Sequence, residues 1–117
     1  MIKIYVYAKC STCRKALEWL EGQGIPFEAH PIRETPPSIQ ELRHALDQFG
    51  GEIRKLFNTS GMDYRAMGLK DQLPTMGKDE ALKLLHSNGN LVKRPLVIGK
   101  DFALAGFKPA VWQESLA

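Results

Sequence analysis

The chain contains no run of about 18 apolar residues, the minimum for a transmembrane helix. Its opening Met1-Ile2-Lys3-Ile4-Tyr5 is too short an apolar stretch for a signal peptide. A cytoplasmic location with no membrane partner is the expectation. Internal repeats, low-complexity tracts and linkers are also missing. A single domain over 1–117 is therefore expected, long enough to bury one core without disulfide staples or a structural metal. Charge of neither sign dominates: 16 basic against 13 acidic residues leave a net charge of +3. That excess suits an anionic ligand or an acidic protein partner and is too small to indicate nucleic-acid binding; no segment resembles a DNA-reading helix. Cysteine is nearly absent, and its two copies, Cys10 and Cys13, stand three positions apart. In a reducing cytosol such a pair is not a permanent clamp, which leaves redox chemistry or metal binding.

Periodicity supplies the elements around that pair. Ile2, Ile4 and Val6 alternate with Lys3, Tyr5 and Tyr7, predicting a strand that ends near Ala8. From Thr12 to Gln23, apolar residues at 13, 16, 17 and 20 predict a helix that Gly24 stops. Pro26 to Ile32 reads as a second extended segment. Ser38 can cap a helix over 38–49, where Ile39, Leu42, Ala45, Leu46 and Phe49 share one face, and Gly50-Gly51 end it. Ile53, Leu56 and Phe57 suggest another helical turn or two, 62–75 is mixed, and 78–86 is helical. Leu96-Val97-Ile98 and Phe102-Ala103-Leu104-Ala105 predict a hairpin, and Pro109 sits in the first turn of a closing helix to Leu116. A βαβ start needs a parallel pair and a late hairpin is antiparallel. The order implies an α/β chain with a mixed four-stranded sheet, flanking helices and a helical insertion at about 38–90, compatible with a thioredoxin-like fold.

A nucleophilic cysteine must be a thiolate, and an ordinary thiol with a pKa of about 8.5 is mostly protonated at neutral pH. Cys10 lies just ahead of the first predicted helix, where free N–H groups and the positive dipole end favour an anion. Lys9, Arg14 and Lys15 add positive charge, and no carboxylate follows until Glu18. Cys13 lies on the same side of the first helical turn and can close a disulfide with Cys10. Cys10 would then attack an electrophilic sulfur and Cys13 would resolve the intermediate by thiol–disulfide exchange. Two plainer readings compete. The pair can be half of a zinc site, but His30, His44 and His86 are scattered and no second close pair exists, so no metal is expected. Alternatively Cys13 is a core residue and only Cys10 reacts.

Lys93-Arg94-Pro95-Leu96 precedes the third predicted strand. A proline entering a strand lies at its start or edge, and X-Pro bonds are the common sites of cis peptides. A cis bond would set Arg94 beside the cysteine loop, its planar donor fork holding an anion or the thiolate. The alternative is a trans proline with a solvated arginine.

Tyr7-Ala8-Lys9-Cys10-Ser11-Thr12-Cys13-Arg14-Lys15-Ala16, Phe57-Asn58-Thr59-Ser60-Gly61, Lys93-Arg94-Pro95-Leu96 and Leu104-Ala105-Gly106-Phe107 together resemble the arsenate reductase-like (ArsC) family, a thioredoxin-fold group that includes the Spx and MgsR proteins. The resemblance implies a cis Pro95, a nucleophilic Cys10 and the helical insertion. Lys9, Ser11, Thr12, Asn58 and Pro95 are the candidate anion-binding or supporting residues around Cys10, Cys13 and Arg94. Glutaredoxin-coupled arsenate reductases of the family use one cysteine and three arginines around the oxyanion. Here Arg94 matches one, Asn58 stands where another belongs, and the 106–109 region offers Lys108. The weaker clamp and the added Cys13 point away from arsenate. They favour a thiol/disulfide oxidoreductase acting on a disulfide protein and reduced by glutathione or a glutaredoxin/thioredoxin system, with arsenate reduction as a third and less favoured reading; a monomer with no bound cofactor is the expectation. Spx-type members are regulators that bind RNA polymerase and use a CxxC as a redox switch, so a redox-sensing regulator is the alternative.

Overall fold

The computed structural model describes residues 1–116. Strand β1 (Ile2–Val6), helix α1 (Ser11–Gly22) and strand β2 (Phe27–Pro31) form the opening crossover, with Ile4 opposite Ala29 in a parallel pair. The β1 strand stops at Val6 rather than near Ala8 because the chain turns there. The Cys10 N–H donates to the Tyr7 carbonyl at 3.0 Å, and the helix follows at once.

Helix α2 (Ile39–Gln48) begins in a capping box. The Glu41 N–H donates to the Ser38 hydroxyl and the Ser38 N–H to the Glu41 carboxylate, both at 3.0 Å. Next come a 3₁₀ turn (Ile53–Leu56), helices α3 (Met62–Ala66) and α4 (Leu69–Gln72), a 3₁₀ turn (Leu73–Thr75) and helix α5 (Lys78–Ser87). The mixed pattern over 62–75 thus resolves into short pieces. Gly68 at φ 64° separates α3 from α4, and Pro74 sits in the turn that follows. A last 3₁₀ turn (Gly89–Leu91) leads to strands β3 (Leu96–Ile98) and β4 (Ala103–Ala105) and helix α6 (Pro109–Leu116).

The strand order is β2-β1-β3-β4, with β3 antiparallel to both of its neighbours. This is the mixed four-stranded sheet with flanking helices that the element order implies. Side chains alternate across it. Ile4, Val97 and Leu104 face α1 and α6, meeting Ala16, Leu20 and Trp112. Tyr5, Leu96 and Ala103 face the other layer, meeting Leu42, Leu46, Leu82 and Leu85 of α2 and α5.

Two features hold the layers in place. Trp112 is 1% exposed, meets Phe107 edge-on at 4.9 Å and Trp19 of α1 at 6.0 Å, and donates from Nε1 to the Gly106 carbonyl at 3.1 Å. On the opposite face, the Tyr5 hydroxyl donates to Glu41 at 2.6 Å and Lys3 pairs with the same carboxylate at 3.2 Å. Burial pushes the Glu41 carboxyl up, but the Tyr5 hydroxyl, the Ser38 N–H and Lys3 outweigh it and hold the pKa below the ordinary carboxylate range.

Trp112→Ala should cost about 3–5 kcal/mol in denaturant unfolding, the range for losing a buried aromatic. A loss under about 1 kcal/mol would show that this aromatic contact does not hold α6 against α1. Because Glu41 titrates lower in the folded state, its contribution is complete above the unfolded carboxylate pKa of about 4.3 and is lost as pH falls through the lowered folded value. Unfolding midpoints measured from neutral to acid pH should therefore fall less steeply for Glu41→Gln than for the parent.

Candidate active site

Cys13, Ala16 and Leu20 are fully buried on one face of α1, and this burial fixes where the helix starts. Cys10 is the residue before that start, in extended conformation at φ −91° and ψ 114°, and is half-buried. Its Sγ takes the place usually held by a Ser or Asp oxygen, accepting the Cys13 N–H at 3.3 Å.

Burial pushes the Cys10 thiol up. Opposing it are a hydrogen bond from the Cys13 side chain, the Cys13 N–H, the charge of Arg94 and the Thr12 N–H, and together they bring the Cys10 pKa below its ordinary value. Cys13 goes the other way. Burial, with the hydrogen bond and charge of Cys10, pushes it up to about 12 despite the opposing Tyr7 backbone and Arg94. One helical turn therefore holds one thiol ready to ionise and another kept protonated.

Arg94 forms the wall of the site. The Arg94–Pro95 peptide is cis, and the guanidinium carbon lies 4.9 Å from the centroid of the Tyr7 ring. Arg94 Nη1 is buried without a hydrogen-bond partner among the described residues. Pro95 is buried at the start of β3, its carbonyl accepting the Gly106 N–H at 2.9 Å.

The other candidates separate. Thr12 contributes its N–H to Cys10 and lines a cavity of about 820 Å³ that also reaches Arg94. Ser11 and Lys9 are exposed, one opening α1 and the other in the turn before Cys10. Asn58 sits at a turn, its carbonyl accepting the Gly61 N–H at 3.0 Å. Its N–H donates to the Leu91 carbonyl at 2.7 Å, and its side-chain amide folds back over Gly61, where an added Cβ would come within 2.8 Å of it. Its neighbours Phe57 and Thr59 line the cavity instead, as does Lys108. Among the described residues no three His, Cys, Asp or Glu side chains cluster as metal ligands.

Sequence reasoning assigned no role to Tyr7 and passed over Arg33. The Arg33 guanidinium carbon lies 5.0 Å from the Tyr7 ring centroid, and its Nη1 donates to the Tyr7 hydroxyl at 2.9 Å. The signal was available. Tyr7 follows β1 and Arg33 follows β2, and parallel strands end on the same edge of the sheet, the edge where α1 begins.

The alkylation rate of Cys10 against pH should report a midpoint below about 8.5, the value of a free thiol. Arg94→Ala should move that midpoint up, and Cys13 should stay unmodified in the same experiment. A midpoint at or above the free-thiol value would contradict the electrostatics described.

Comparison with known proteins agrees with this arrangement along almost the whole chain. The ArsC family model matches residues 5–115. The Bacillus subtilis (strain 168) protein YusI, itself uncharacterized, is 44% identical over 116 residues, covering 99% of this chain and 98% of YusI. A solved structure from Streptococcus mutans UA159, described as a possible arsenate reductase, matches with a TM-score of 0.91 at 40% identity, covering 99% of this chain and 98% of that one. The global transcriptional regulator Spx of Enterococcus faecalis is 29% identical over 108 residues, 92% of this chain and 80% of the regulator. With the family model spanning all but the ends of the chain, and a full-length relative at such identity, this protein belongs to the ArsC family.

Proposed function

We propose that this protein is a thiol–disulfide oxidoreductase in which Cys10 attacks and Cys13 resolves. The observation that carries the reading is the opposed state of the two thiols. Cys10 Sγ sits at the α1 N-terminus with its pKa lowered, and Cys13 lies buried directly behind it with its pKa raised.

The Cys10 thiolate attacks one sulfur of a substrate disulfide. A Cys10–substrate disulfide forms, and the other substrate sulfur leaves as a thiolate that takes a proton from water. Cys13 then gives up its proton and attacks Cys10 Sγ, forming the Cys10–Cys13 disulfide and releasing the second substrate thiol. Two electrons have passed to the substrate. A thiol reductant, glutathione or a glutaredoxin/thioredoxin system, returns two electrons and one proton, restoring the Cys10 thiolate and the Cys13 thiol. Arg94 steadies the anionic sulfur in each half.

A second reading, a redox-sensing regulator that binds RNA polymerase, is supported by the similarity to Spx and by the same cysteine pair. Turnover separates the two. Cys10→Ser should reduce disulfide reductase activity with glutathione by about a hundredfold or more, because the nucleophile is removed outright. Cys13→Ser should accumulate a mixed disulfide at Cys10, and mild oxidation of the parent should lower its mass by about two daltons, one disulfide's worth of hydrogen. Absence of turnover, combined with RNA polymerase binding that changes on oxidation, would replace the enzyme reading with the regulator. A coupled arsenate assay with glutaredoxin should show no rate above background.

A further inference from the structure

Strand β4 is the end strand of the sheet, paired only with β3 on one side. Its register fixes which backbone groups are free. Gly99 donates to the Phe102 carbonyl at 2.9 Å and Gly106 to the Pro95 carbonyl at 2.9 Å, so the hydrogen-bonded pairs of this antiparallel ladder are Gly99 with Phe102, Val97 with Leu104 and Pro95 with Gly106. Ala103 and Ala105 occupy the alternate positions, and their N–H and C=O groups point away from β3. Among the described residues no turn, loop or side-chain bond takes up these groups. Ala105 is partly exposed, and Ala103, 7% exposed, reaches the surface only through the cavity that both line.

This edge does not face open solvent alone. All three β4 residues line the cavity of about 820 Å³ that Thr12 and Arg94 also line. Phe49, after α2, stands in one wall, and Val111 and Trp112 of α6 stand in another, with Val111 43% exposed. The ionic lining is one-sided. Arg54, Lys55, Lys93, Arg94 and Lys108 face it, against the single carboxylate of Glu52, which is 3.6 Å from Lys55.

We propose that the β4 edge is a docking site that takes an acidic, extended polypeptide segment as a fifth strand. Main-chain bonds to Ala103 and Ala105 supply the alignment, and the cationic rim supplies the preference for carboxylates. At about 3.3 Å per residue, three strand residues offer about 10 Å of edge, enough for one pair of bonds at each alanine. The far end of the docked segment reaches Thr12 and Arg94, next to Cys10. Lysines and short length are also how natural sheets guard an edge against self-pairing. A guarded edge refuses every strand, whereas a docking edge accepts an acidic one, and binding decides between them.

The test uses the full chain carrying Cys10→Ser and Cys13→Ser and a fluorescent, cysteine-free peptide of alternating Glu and Val. Docking is thereby measured apart from thiol exchange, and the reductase assay on the parent reports that chemistry separately. Fluorescence anisotropy should show saturable binding that weakens as salt rises, and the Ala103 and Ala105 amides should gain hydrogen-exchange protection in the complex. Arg54→Glu with Lys108→Glu should weaken binding about tenfold or more. Ala105→Pro removes an outward N–H without taking a bond from β3, so the sheet is kept and docking is lost. The same peptide with alternate N-methyl groups should also fail to bind, which guards against a folding defect in that variant. Three results would each overturn the proposal: no binding up to about 1 mM at low salt, equal binding of a Lys and Val peptide, or affinity indifferent to both the N-methyl groups and Ala105→Pro.

Discussion

The site depends on one hydrogen bond, from the Cys13 N–H to Cys10 Sγ at 3.3 Å. It is a helix cap and an anion contact at once. The first N–H groups of any helix lack intrahelical partners, and a side-chain acceptor at the preceding residue satisfies one of them. A thiolate accepts more strongly than a thiol, so the backbone geometry that starts α1 also favours the charged sulfur. The position of that start is set from below, by the burial of Cys13, Ala16 and Leu20, the last two packed against Ile4, Val97 and their neighbours. Slide the apolar face by one residue and Cys10 would no longer cap the helix. Core packing and thiol chemistry are in this sense the same constraint.

Around that bond the charges are arranged without neutralising each other. Arg94 and Arg33 both lie within about 5 Å of the Tyr7 ring, where an aromatic face stabilises a guanidinium and takes up none of its hydrogen-bonding capacity. Arg33 spends one donor on the Tyr7 hydroxyl, while Arg94 Nη1 has no partner among the described residues. A carboxylate in the same place would have paired Arg94 and cancelled its field at Cys10. Tyr7 supports the cation and leaves its charge available to the sulfur.

Much of this was legible in the residues. The β1, α1, β2 start, the helix capped by Ser38 and the late hairpin all follow from periodicity and from stop signals at Gly24, Gly50 and Gly51, and strong local signals survived packing with boundary shifts of one or two residues. The short helices between Met62 and Thr75 were not delimited, because pieces of four or five residues carry little periodicity and are held by contacts such as Tyr64 against Phe57. In the site, Cys10, Cys13 and Arg94 could be named because cysteine spacing and an X-Pro step are local patterns. The Arg33 and Tyr7 contact joins residues 26 positions apart and needed the strand register first. For Asn58 a motif position suggested a place beside an anion, and the fold adds that its side-chain amide lies over Gly61, where an added Cβ would come within 2.8 Å of it.

The opposed thiols also set an order on any exchange chemistry they perform. While Cys10 is anionic, its charge and its hydrogen bond both act to keep Cys13 protonated, adding to the effect of burial. Once Cys10 is tied into a mixed disulfide, that negative charge and that acceptor are gone. Burial still opposes ionisation of Cys13, but the positive charge of Arg94 and the Tyr7 backbone then act on it without competition from a neighbouring thiolate. Cys13 becomes easier to ionise only once Cys10 no longer carries its negative charge. In any exchange these thiols perform, a step at Cys13 would follow one at Cys10 because of where the charge sits.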